Sequence, residues 1–555
     1  MKRRWFVPGM AVFVALMAPT AFGAGLARPS APAAGTTPRI PSIAPRVAGA
    51  SGFGYVQTAA YRHQKALIDA AAAARGSGGV APARPAAAAP PTIGASFQGP
   101  DDALVSPSDS VGAVGPTRFV TLVNEQYAIY NRTTPVPVQL SSGPLSSFTT
   151  VSADQFGLFD PQIMWDPGTQ RFFYVMDDIV CGSFSCSGED YRLAWGFSTT
   201  DSPNTPQDWC HYQADFGIYG TSANFPDYPK LGDTKDFILI GTNVYPHLQT
   251  FLGSDVDWIS KPPAGSTCPA QDSFKTGSVQ NVQNQDGTTA FTPVPVNQVD
   301  DSSTGYVVAN TDLGDPGDPG APATGPSTGT ALTVFTVTKN PDGTANIPQK
   351  GTTLTVPAYS MPPSAPQSGT ANTLDTLDGR LTQAMSSVNP KNGKTYIYTE
   401  HTVAGGAGSV VRWYRVDPAK MRRKVHTISD PALYVFNGAV STDRAVTPTG
   451  ATFGGSVVVG FDTSSGSTLE AIQMLSNVPG QGNSAFVLVH QSDAADNDFT
   501  CTPCRWGDYA AAGPDPAADP TKPHGSVWLT SMASSTGDPV LHAHFWRTWD
   551  WQANI

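Results

Sequence analysis

The chain has 555 residues, 14% of them charged, and a formal net charge of −11. That length holds one large β domain or a few ordinary ones, and the acidic balance excludes a typical nucleic-acid binder, which presents a basic face. Only four of the 44 acids are Glu (Glu125, Glu189, Glu400 and Glu470), beside 54 Gly and 50 Pro; Asp caps turns through its short carboxylate and Glu favours helices, so the composition predicts short strands joined by turns.

Residues 1–23 have the pattern of an export signal. Lys2, Arg3 and Arg4 precede a mostly apolar stretch from Trp5 to Phe22, and Ala21-Phe22-Gly23 offers a small-x-small cleavage site. The arginines also touch a twin-arginine pattern. The stretch is short and interrupted by Pro8, Gly9 and Pro19, which argues against a membrane anchor. Residues 24–96 form a Pro/Ala-rich linker that cannot bury a core. Within it, Val56 to Arg75 has a sparse apolar face of Tyr61, Leu67 and Ile68, and predicts one short helix.

From Phe97 to residue 555 the texture changes to strand-length apolar or β-branched runs bounded by turn residues, such as "RFFYVMDD", "DFILIGTNVY", "ALTVFTVTK" and "SVWLTSM". One pattern recurs: an Asp, a strand, a Pro/Gly turn, then a basic residue opening a second strand. It begins at Asp109, Asp160, Asp227, Asp378 and Asp508. The gaps leave room for further units around residues 304–312 and 454–462. About seven units result, six being the alternative, and repeated four-stranded units of this size make an all-β fold, the β-propeller. A strand near Ser96–Val105 is expected to close the last blade against "LHAHFWRTWD".

The stretches "DSVGAVGPTRFVTLVNEQYAIYN", "FDPQIMWDPGTQRFFYV", "DYPKLG", "LDGRLTQAM" and "CRWGDYA" together resemble a group of secreted bacterial proteins predicted to be β-propellers, distantly sialidase-like in fold and largely uncharacterised. The likeness covers nearly all of residues 97–550. It implies fold and export. It does not imply sialidase activity, because the Ser-x-Asp-x-Gly-x-x-Trp box of true sialidases is missing and no motif carries their arginine triad.

Six cysteines suit an exported chain. Their clustering suggests Cys181–Cys186, Cys501–Cys504 and a longer Cys210–Cys268 bridge; Cys501-Thr-Pro-Cys504 also has the form of a redox or metal CxxC. No His-Glu-x-x-His, P-loop or dinucleotide fingerprint is present.

The repeated Asp residues should ring a central funnel. Three roles fit them: bonding backbone N–H groups between blades, binding Ca²⁺ through Asp109, Asp160 and Asp227, or acid–base catalysis by Asp378 and Asp508 with Arg380. Residues that break the repeat are better ligand candidates: Arg380, Arg505, Trp506 and Tyr509 suit an acidic glycan, since Arg holds carboxylates bidentately. His542 and His544 share one strand face, and "DLGDPGDPGAPATGPSTG" (312–329) is an acidic, Gly/Pro-rich insertion. The expected protein is therefore a secreted monomer, extracellular or periplasmic, that binds a polysaccharide or a protein and neither binds nucleic acid nor spans a membrane. Its main functional reading is a binding or interaction module; the alternative is an extracellular glycan-active hydrolase or lyase with its site in the funnel. Ca²⁺ is the one cofactor the sequence suggests.

Overall fold

The computed structural model describes residues 59–75, 88–102, 105–149, 155–181, 189–214, 224–246, 251–263, 265–313, 328–447, 450–451, 453–501, 503–536 and 545–555. The export signal, most of the linker, Cys186, His542, His544 and most of the 312–329 insertion lie outside them. No described helix is long and apolar enough to cross a membrane.

Seven antiparallel sheets form the blades of a β-propeller. Their inner strands are Val111–Val114, Gln155–Asp166, Asn224–Asp233, Ala290–Pro295, Leu381–Asn389, Tyr434–Thr442 and Ala511–Pro514. Each inner strand contacts the next, and the seventh contacts the first, so the ring is closed. Blade 7 completes the closure. Its outermost strand is Thr92–Gln98, which pairs antiparallel with Phe545–Asn554. The expected closing strand is therefore real and sits slightly earlier in the chain. The extra units expected around 304–312 and 454–462 are also real blades, but those segments (Gly305–Thr311 and Val457–Ser465) are second strands; the blades open at Ala290 and Tyr434.

Blades pack face to face through apolar layers, because alternate side chains of each strand point to opposite sheet faces. Trp195, Phe197 and Tyr212 of blade 2 meet Ile238 and Ile240 of blade 3. Tyr398 and Trp413 of blade 5 meet Val435 and Val459 of blade 6. Buried ion pairs tie blades together near the far ends of the inner strands. Lys261 Nζ lies 2.7 Å from both Asp166 of blade 2 and Asp233 of blade 3. Arg132 of blade 1 holds Asp515 of blade 7 at 2.5 Å.

The recurring Asp has a backbone cause. In six blades the residue just before the inward turn of the inner strand has a left-handed backbone: Asp109 (φ 47°), Asp160 (52°), Tyr228 (57°), Thr292 (48°), Asn437 (49°) and Asp508 (46°). The ladder register slips there in blades 2, 3, 4 and 6, leaving a bulge. Asp and Asn tolerate this conformation better than other non-glycine residues. The register also corrects the repeat as expected from sequence. In blade 3 Tyr228, not Asp227, takes the equivalent place, and in blade 5 Asp378 precedes the strand, between Leu377 (φ 63°) and Gly379 (φ 91°).

Two disulfides, Cys210–Cys268 and Cys501–Cys504, are formed as expected; the Cys181–Cys186 pairing lies outside the described residues. Cys210–Cys268 encloses 58 residues and ties an outer strand of blade 2 to the loop ahead of blade 3's last strand. Replacing both cysteines with Ser should cost about 4 kcal/mol through loop entropy in the unfolded chain. A shift in the chemical-denaturation midpoint measures it, and an unchanged midpoint would mean that the loop is restrained without the bridge.

Candidate functional site

The left-handed turns of blades 1, 2 and 7 bring Asp109, Asp160 and Asp508 together near the axis, all fully buried. Asn124 clamps the first two. Its Nδ2 donates to Asp109 Oδ2 (2.6 Å), and its Oδ1 accepts from the Asp160 N–H (2.8 Å). Tyr509 Oη donates to Asp160 Oδ2 at 2.7 Å. This leaves Asp109 Oδ1 and Asp160 Oδ1 without hydrogen-bond partners among the described residues. Burial, then the charges of Asp160 and Asp508, pushes the Asp109 carboxyl well above its ordinary range; burial likewise raises Asp160, against the Tyr509 hydrogen bond and Arg505. Behind them Asp177, also fully buried, has neither carboxyl oxygen hydrogen-bonded and is pushed well up by burial and then by Asp160 and Asp227.

Cations and rings layer across the axis. Lys230 Nζ sits 3.8 Å from the Tyr228 ring centroid and 3.6 Å from that of Tyr509, without a hydrogen-bond partner. Burial drives its pKa well below the usual lysine value. The two rings lie 4.6 Å apart. Arg380 stacks over Tyr228 (4.7 Å) and Phe291 (5.1 Å), and grips Asp378 through Nε (2.9 Å) and Nη2 (2.6 Å). Arg505 Nη2 donates to Asp508 Oδ2; burial still lifts Asp508 to about 7, with Arg505 opposing and Asp375 and Asp160 adding. Lys230 also lines the axial channel, whose other walls include Val111, Gln162, Gln383 and Ala511.

The linker helix Ala59–Arg75 packs on the same cluster. Tyr61 and Ile68 join the apolar cluster that includes Tyr228 and Tyr509. Tyr61 Oη donates to Asp375 (2.8 Å), and Lys65 Nζ, fully buried, bonds Thr376 Oγ1 and the Leu377 carbonyl at 2.8 Å and lies 3.3 Å from Asp375. Leu67, expected on the apolar face, is instead 57% exposed. The buried face follows residues 61, 64, 65 and 68, the i, i+3, i+4, i+7 rows of a helix.

The sequence candidates thus divide. Asp109, Asp160, Asp508, Arg505 and Tyr509 converge on the axis, with Asp378 and Arg380 beside them. Asp227 approaches through Asp177. Trp506 does not join them: its Nε1 donates to Asp462 Oδ2 at 2.9 Å, and its ring packs near Phe436 of blade 6. Among the described residues no group of three or more His, Cys, Asp or Glu can hold a metal ion. Lys230, Tyr228, Asp177, Asn124 and the helix residue Lys65 were not singled out from sequence, and Tyr61 was expected only on the helix's apolar face. Lys230 and Tyr228 stand in "DYPKLG", inside a recognised repeat, so the departure from the repeat was their only signal.

No protein-family model matches the chain, and no curated protein matches it. Solved structures with a related course include the α-L-arabinanase of Cellvibrio cellulosa (13% identity, 57% of this chain and 95% of that one, TM-score 0.29). The α-L-arabinanase of Penicillium chrysogenum complexed with arabinobiose is similar at 11% identity, over 72% of this chain and 98% of that one, with TM-score 0.34. A mutant Trypanosoma rangeli sialidase displaying trans-sialidase activity is similar at 8% identity, over 72% of this chain and 60% of that one, with TM-score 0.35.

Proposed function

We propose that this propeller is an extracellular binding or interaction module whose axial cluster is a structural keystone. One observation carries the reading: the arginines that would hold a ligand are already held by carboxylates of the same chain, Arg380 by Asp378 and Arg505 by Asp508, in a buried cluster that the linker helix packs against. Glycoside hydrolysis needs two carboxyl groups flanking a bound sugar, about 5 to 9 Å apart; here Asp109, Asp160 and Asp508 have no exposed surface against which a sugar could sit. The two disulfides support an oxidising compartment. A second reading, a glycan hydrolase, is favoured by the neighbouring buried carboxyls Asp109 and Asp160, both raised by burial, beside Tyr509.

A panel of neutral and acidic polysaccharides separates the two. Retardation in affinity electrophoresis without new reducing ends is expected. Asp508→Asn and Arg380→Ala should lose folding, read by circular dichroism, rather than lose binding while folded. Release of reducing ends that stops in a folded Asp160→Asn variant would establish the hydrolase and sink the binding module.

A further inference from the structure

Blade 5 carries a charge pattern that no other blade shares. Its last strand, Arg422–Ile428, presents Arg422, Arg423 and Lys424, all exposed. The outer strands of the other six blades, TIGASFQ, VQLSSGP, WCHYQA, TGSV, TTLTVPAY and VLVHQ, contain no Lys or Arg. Cationic edge strands usually guard against edge-to-edge pairing. Were that the reason here, the other six edges would need the same guard.

The cations also extend beyond the edge. Lys420 sits in the turn before the strand, Lys391 lies in the turn between the first two long strands and Lys394 opens the second of them, all exposed. The registers Asn389↔Lys394, Ile397↔Val416 and Asp417↔Arg422 put both turns at one end of the blade. With strands about 5 Å apart, the six charges share a corner on the order of 10–15 Å across. Among the described residues none of the six forms an ion pair. Side by side on the same sheet lie rings: Arg415 stacks over Tyr396 (4.9 Å), and His426 stacks on Trp413 (4.0 Å, 6° between planes). Burial lowers the His426 pKa to about 4, and Arg415 and Lys424 push it the same way, while Trp413, Val425 and Thr427 beside it bring no charge.

We infer that this corner of blade 5 is a docking surface for an anionic polysaccharide. The inference rests on the binding-module reading and names the ligand class and the place. Six unpaired cations in a chain of net charge −11 are complementary to a polymer with regularly spaced negative groups. The half-buried rings of Tyr396 and His426 among them suit sugar faces. A membrane surface fits less well, since among the described residues none of the exposed large apolar side chains lies in blade 5.

The test uses the full chain against polygalacturonate, dextran sulfate, neutral dextran and a DNA duplex. Retardation by the two acidic polysaccharides, absent with neutral dextran and lost as salt rises from about 50 mM to about 500 mM, is the expected result. Arg422→Glu/Arg423→Glu/Lys424→Glu, on exposed positions and with unchanged circular dichroism, should bind at least about tenfold more weakly. Unchanged binding by this variant, or equal retardation by neutral dextran, overturns the inference and leaves the binding module standing. Tighter binding to DNA than to either acidic polysaccharide overturns the ligand class. No retardation by any polysaccharide overturns both.

Discussion

Arg505→Ala is expected to lower folding stability by about 3–5 kcal/mol at pH 8, the cost of leaving one member of a buried ion pair alone. Asp508 has no exposed surface and is already raised to about 7 with Arg505 present. Without the guanidinium its carboxyl must take up a proton, because an isolated buried carboxylate is too costly to keep. At pH 5 that proton is readily available, so the same substitution should cost markedly less there. Arg505→Ala/Asp508→Asn removes the charge along with its partner and should recover most of the loss at pH 8. Denaturant midpoints of the three proteins at both pH values measure this. An equal cost at pH 5 and pH 8, or a double variant no more stable than Arg505→Ala, would show that Arg505 contributes by packing and not by pairing.

This expectation bears on how far the site was legible in the sequence. The repeat was visible because the left-handed strand entry selects Asp or Asn in four blades, and a selective backbone leaves a residue signature. Where the backbone position is filled by Tyr228 or Thr292 the signature disappears, and the neighbouring Asp227 was a false member. CRWGDY was legible as a cluster, but the direction of each side chain was not. Arg505, Asp508 and Tyr509 turn to the axis, whereas Trp506 turns to Asp462 between blades 6 and 7. Adjacent residues in a turn diverge according to φ and ψ, which the residue types alone do not specify at Gly507 (φ 76°). The helix Ala59–Arg75 was foreseen as an element but not as part of the cluster. Its docking runs through contacts such as those of Tyr61 and Lys65 with Asp375, more than 300 residues away, and no local pattern encodes that. Blade 5's cations are plain in "KMRRKVH", yet their meaning needs the knowledge that they form an edge and that the other edges are bare.

The buried carboxyls predict an unusual pH profile: the protein should be more stable at pH 5 than at pH 8. Glu400 is fully buried, with Thr382 Oγ1 donating to Oε1 and Oε2 without a hydrogen-bond partner; burial raises it from 4.5 to about 8, with Thr382 and Lys230 opposing. Between those values the folded protein holds a proton that the unfolded chain has released. The stability this proton confers is therefore complete below about pH 4.5, declines as pH rises, and is gone above about pH 8. Asp462 and Asp550, each raised to about 7 by burial, act in the same direction up to that pH. His401 opposes them: burial lowers it to about 3, so its contribution is lost as pH falls from about 6.5. Above about pH 7 Asp462 and Asp550 have released their protons as well, so the slope should be steepest between about pH 6 and 7 and flatten toward pH 8. Glu400→Gln keeps the shape and removes the titration. It should be nearly neutral at pH 5 and stabilising at pH 8 by on the order of 3 kcal/mol. Denaturation midpoints of wild type and variant across pH 5 to 8 decide it. A wild type that gains stability toward pH 8, or a variant whose midpoint stays parallel to wild type across the range, would mean that Glu400 is ionised in the fold and that Lys230 keeps its charge to balance it.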